Sequence, residues 1–128
     1  GSSVFGERAA VIAKLASKNP KSAKPRIFII MQRAMLTALP PPEYTRELLF
    51  SIKKGQTFDP IAFADKLTEN GYTRVPRVTV PGEFALRGEV LDIFMPGTDQ
   101  ANRIVFDFDT VDQIKIFDTE SQASKKNG

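Results

Sequence analysis

In the second half of the chain the hydrophobic period becomes two, and this limits the fold more than any other feature. Residues 103–108 read Arg-Ile-Val-Phe-Asp-Phe, which puts Ile104, Phe106 and Phe108 on one face and Arg103, Val105 and Asp107 on the other. Such alternation belongs to a strand with one side on a core. Residues 72–80 read as a strand, and Pro81-Gly82 as a turn. Residues 83–94 read as one long strand with a bulge at Gly88. A loop over 95–102, a tight connection at Asp109-Thr110 and a returning strand over 111–117 complete the pattern. Short turns between successive strands predict an antiparallel meander. Its expected core is Phe84, Leu91, Ile93, Ile104, Phe106 and Phe108, joined by Leu86, Ile114 and Ile116.

Upstream the pattern is mixed. Gly1-Ser2-Ser3 reads as a cloning scar. Residues 4–17 carry apolar positions at near-helical spacing, and Pro20 and Pro25 bracket a break. Residues 26–30 are a short β-branched and aromatic run, best read as a buried strand. Residues 32–39 look helical, ended by Pro40-Pro41-Pro42. A lone strand between two helices has no partner of its own for its backbone groups. Either the segment is the end of a larger domain, or its strand joins the later sheet. Residues 43–50 fit a short helix or the approach to a strand, and 48–53 read as extended. Lys54-Gly55-Gln56 is a turn. Asp59 is placed to cap a helix whose first residue is Pro60. Ile61, Ala64, Leu67 and Thr68 mark one face of that helix, and Asn70-Gly71 end it. The fold class expected is α+β: an antiparallel β-meander with flanking helices, preceded by a helix–strand–helix segment. The expected divisions are 1–3, 4–42, 43–118 and a loose polar tail over 119–128.

Composition narrows the chemistry. The 128 residues contain no cysteine and no histidine. That excludes disulfides, cysteine nucleophiles, a Ser-His-Asp triad and histidine-ligated zinc within this sequence. Apolar residues make up 41% and charged residues 26%, the range of a globular domain. The net charge of +3 is too mild to mark a nucleic-acid binder unless it is gathered on one face. No run approaches the ~18 apolar residues of a membrane span. The expected setting is cytoplasmic.

Few residues offer a site. Residues 53–57, Lys-Lys-Gly-Gln-Thr, lack the glycine spacing of a phosphate loop. Asp107, Asp109 and Asp112 cluster at a hairpin tip without calcium-loop spacing, and turn chemistry explains them. Asp92 lies in the apolar strand Val90-Leu91-Asp92-Ile93-Phe94. It is a candidate acid–base group, or a structural carboxylate that accepts from a turn or pairs an arginine. Arg74, Arg87 and Arg103 fall on three strands that a meander brings close. On one face they would form a rigid basic patch able to grip carboxylates or phosphates; otherwise they are scattered surface charge.

Several stretches together resemble a known family. Gly71-Tyr72-Thr73-Arg74-Val75, then Pro81-Gly82-Glu83-Phe84-Ala85-Leu86-Arg87-Gly88, then Leu91-Asp92-Ile93-Phe94 are similar to the UvrB-homology region of the bacterial transcription-repair coupling factors, the Mfd translocases. The similarity continues through Arg103-Ile104-Val105-Phe106 and residues 116–122, and upstream through residues 33–40. The resemblance implies the end of domain 1a over 4–42 and a UvrB domain 2-like module over 43–118. It implies a docking module that recruits the excision-repair protein UvrA to stalled RNA polymerase, with Arg74, Arg87 and Arg103 at the contact. UvrB has arginine where this chain has Ala85, so that contact is not carried over. Glu89, Asp107 and Ala123 also depart from the family pattern. The resemblance implies no catalytic residue, metal or cofactor within this chain. The family's ATP, magnesium and double-stranded DNA sites lie elsewhere in its full-length members, and a monomeric fragment is expected. The competing reading is a β domain that binds a nucleic-acid backbone through the same arginines.

Overall fold

A computed structural model describes residues 25–36 and 43–125. The expected helix over 4–17 and the proline run at 40–42 lie outside the described residues. The described elements are β1 (Arg26–Leu36), β2 (Glu43–Lys53), α1 (Pro60–Glu69), β3 (Thr73–Arg74), β4 (Glu83–Arg87), β5 (Val90–Ile93), β6 (Ala101–Asp107), β7 (Thr110–Asp118) and β8 (Ala123–Lys125). The fold is α+β, dominated by antiparallel strands.

β1 and β2 form a two-stranded antiparallel sheet, in register from Arg26 opposite Lys53 to Leu36 opposite Glu43. The helix expected to start at Gln32 is therefore strand as far as Leu36. Helix propensity in Gln-Arg-Ala-Met-Leu is a weak preference, and a full ladder to a facing strand overrides it. β1 thus finds its partner in β2, across the expected division at 42, and does not enter the larger sheet.

The larger sheet has six strands in chain order, β3 to β8. From β4 onward every pairing is antiparallel, while β3 joins β4 in parallel. The strand expected over 72–80 is only Thr73–Arg74. Pro76 and the bend at 76–77 turn the chain off the edge and across the sheet. The long strand expected over 83–94 is two strands. Gly88, at φ 58, opens a two-residue hairpin turn rather than a bulge. The register shift lies instead between Val105 and Phe106. The tail expected to be loose supplies β8, paired with β7 from Ile116 to Asp118.

Both faces of the sheet are covered. On one, Phe84, Leu91, Ile93, Ile104 and Phe106 share a core with α1 and with Ile29, Met31 and Ile52 of the β1–β2 sheet. On the other, Val75 and Val78 of the returning loop pack on Ala85, Ala101 and Phe117. Asp59 caps α1 by accepting from the Ile61 N–H at 2.9 Å, and Pro60 is its first residue. The buried face of α1 is Phe63, Ala64 and Leu67. Ile61, expected on that face, is exposed. Phe108, expected in the core, is 81% exposed at φ 57, because it is the first residue of the two-residue turn Phe108-Asp109 that joins β6 to β7, one position ahead of the expected connection at Asp109-Thr110.

Candidate docking site around Asp92

Cross-strand register assembles the site. Ala85 of β4 lies opposite Asp92 of β5, Asp92 opposite Arg103 of β6, and Arg103 opposite Lys115 of β7. Arg87 follows Ala85 by two residues, so it shares that face at the end of β4. Asp92 is 2% exposed. Its Oδ1 accepts from Arg103 Nε at 2.7 Å and its Oδ2 from Arg103 Nη2 at 3.0 Å, a two-point contact between planar groups. Arg103 Nη2 also donates to the Gln122 carbonyl at 3.4 Å. The guanidinium carbon lies 4.3 Å from the centre of the Phe117 ring. The hydrogen bond to Asp92 raises the Arg103 pKa above its ordinary value, against the opposing effect of burial.

Arg87 differs. Its Nη2 stands 3.9 Å from Asp92 Oδ2, and its side chain is 60% exposed against 15% for Arg103. Arg74 lies on β3 in register with Phe84, the opposite parity to Ala85 and Arg87, and it is exposed at the sheet edge. The structure therefore brings Arg87 and Arg103 together around Asp92 and leaves Arg74 apart. Of the two expectations for Asp92, pairing an arginine is the one observed.

Two basic residues near this face were not picked out from the sequence. Arg77 is exposed on the returning loop and donates to the Glu120 carbonyl at 3.2 Å. Lys115 is half-buried beside Arg103. Counting back from the turn without a shift would have set Arg103 opposite Ile114, so the irregularity at Val105/Phe106 hid Lys115. Arg77 was hidden inside a strand that is not there.

The remaining candidates are ordinary. Gly55, at φ 91, donates to the Val111 carbonyl at 2.7 Å and belongs to a turn. Asp107, Asp109 and Asp112 are exposed around the β6–β7 hairpin, and the Asp109 carbonyl accepts from the Phe58 N–H at 2.9 Å. Among the described residues no group of three or more His, Cys, Asp and Glu is placed to hold a metal ion. No described helix is long and apolar enough to cross a membrane.

A family profile described as the UvrB interaction domain matches residues 50–127, which include the whole Ala85–Asp92–Arg103–Lys115 row. The chain belongs to the UvrB interaction domain family. Among curated proteins, this UvrB interaction domain is similar to transcription-repair-coupling factors. The one from Bacillus subtilis is 37% identical over 77% of this chain, and the one from Staphylococcus aureus 34% over 97%. The one from Borreliella burgdorferi is 29% identical over 98%. The chain spans only 8%, 10% and 11% of the length of these three relatives.

Proposed function

We propose that this UvrB interaction domain is a protein docking module that binds UvrA, and that within a full-length coupling factor it recruits UvrA to stalled RNA polymerase for excision repair. The observation that carries this reading is Arg87. It is an exposed guanidinium on a paired strand, next to a buried carboxylate already committed to Arg103. A cation on such a rigid support, beside the sheltered Phe117 and Arg103, fits a carboxylate on a partner protein better than a flexible surface lysine would. The full-length protein is proposed to be an ATP-dependent DNA translocase whose nucleotide, polymerase and duplex contacts lie outside this chain. Within the chain, docking is the proposed activity and no catalytic step is assigned.

The test is a calorimetric titration of purified UvrA with this chain, run beside a gel shift with duplex DNA. Saturable binding to UvrA with little retention of DNA at moderate salt is the expected result. Binding to DNA that falls steeply with salt, with no heat on UvrA, would favour the phosphate-backbone reading instead.

A further inference from the structure

Two guanidinium groups share one carboxylate in this site. Arg103 takes both oxygens of Asp92, and Arg87 reaches only 3.9 Å from one of them. Around Asp92 two guanidinium groups thus stand against one carboxylate, with Lys115 next in the row beyond Arg103. Asp92 is 2% exposed and cannot itself meet a partner. Arg103 is tied at three points, to both Asp92 oxygens and the Gln122 carbonyl, and is seated on Phe117. Of the two guanidinium groups on Asp92, Arg87 is the one with an exposed face, held only by the 3.9 Å contact. Opposite Asp92 on β4 stands Ala85, which brings no competing cation.

We propose that Asp92 is the positioning residue of this docking face: it fixes Arg103 as an immobile wall and holds Arg87 at its edge as the cation that receives one carboxylate of the partner. This rests on the docking reading. A partner carboxylate set against Arg87 would give each of the two guanidinium groups a carboxylate of its own. With Asp92 made neutral, the two guanidinium groups repel each other, Arg103 loses its two-point anchor and Arg87 loses its place. Asp92 then matters to binding without touching the partner, and entirely through the arginines.

The experiment is a double-mutant cycle on UvrA affinity with the whole chain, using Asp92→Asn, Arg87→Ala and the double variant. It is run well below each melting temperature, with folding verified by circular dichroism. Asp92→Asn is expected to weaken binding about ten-fold or more while folded, and the loss in the double variant to fall well short of the product of the two single losses. Parent-like affinity of folded Asp92→Asn, with Arg87→Ala weakened, overturns the positioning role and leaves docking standing. Losses that multiply in the double variant overturn it as well. Parent-like affinity of Arg87→Ala removes the docking reading on which the proposal rests. Should Asp92→Asn not fold, Asp92→Glu keeps the charge and moves it by one methylene; weaker binding is expected, and parent-like affinity overturns the proposal.

Discussion

Phe108 is held at φ 57 with its ring in solvent. An L-residue in the left-handed region costs roughly 1–2 kcal/mol, and an exposed ring recovers little of that by burial. Phe108→Gly is expected to stabilise the domain by about 1 kcal/mol, read as a higher urea midpoint at unchanged slope. A lowered midpoint would show that the ring has a folded-state contact that outweighs the strain. Glu83 works the other way. Its Oε1 accepts from the Thr79 and Val80 N–H groups at 3.0 and 3.1 Å and from the Thr79 hydroxyl at 3.3 Å, tying down the returning loop. The Thr79 N–H is the main cause holding the carboxyl below its ordinary range, aided by the Val80 N–H and Thr79 hydroxyl and opposed by desolvation. A depressed folded value means the stabilisation is complete above the unfolded carboxylate value of ~4.3 and is lost as pH falls through the folded one. The stability gap between the parent and Glu83→Gln should thus narrow below about pH 4. A gap that stays constant into acid would contradict that account. At this scale the sequence was legible where the signal is local. Asp59 and Pro60 start α1 as their types dictate, since a cap is made within three residues. Phe108 was not legible, because alternation alone does not say where a strand stops, and β6 ends at Asp107, one residue before Phe108 would have returned to the core face.

Among elements, the join between β1 and α1 is the most exacting. The Gln32 N–H donates to the Asn70 carbonyl at 2.9 Å, and the Tyr72 hydroxyl to the buried Ile30 carbonyl at 2.9 Å. Between them Gly71 sits at φ 103, and a β-carbon there would lie 2.8 Å from the Gln32 carbonyl oxygen. Only glycine meets both the turn and the approach. Gly71→Ala is expected to cost upwards of about 2 kcal/mol, with the urea midpoint reporting it. A loss of a few tenths would mean that β1 does not press on the helix end. The sequence marked Asn70-Gly71 as a helix end, which is a local matter. That the same glycine receives β1 depends on residues some forty positions apart, and no short-range pattern encodes it. The same distinction explains 32–36 and 83–94. Each was assigned from its own residues, and each was decided by a partner: β2 for the first, and the Gly88 hairpin pairing β4 with β5 for the second.

Among the described residues, a sheet covered on both faces carries the Arg87–Asp92–Arg103 cluster near the Gly88 hairpin. The apolar side of β4, β5 and β6 was legible, and so were Arg87 and Arg103, because outward positions in a meander repeat every second residue. Arg87 already stands out in the sequence, just before Gly88 on a strand anchored by Phe84 and Leu86, with Arg74 and Arg103 expected to matter less. What was not legible is how the other two are set aside: register gives Arg103 to Asp92 and puts Arg74 on the opposite parity, while Arg87 faces out. The central claim is therefore that docking depends on Arg87 above the other two. Its most direct measurement is UvrA affinity for the parent chain, Arg87→Ala and Arg87→Lys, each shown to be folded by circular dichroism. Truncating a central interface arginine costs about 2 kcal/mol or more, roughly a thirty-fold loss, and lysine cannot restore a two-point contact. The account predicts that loss for Arg87→Ala and little recovery for Arg87→Lys. A folded Arg87→Ala chain that binds UvrA as tightly as the parent would contradict it.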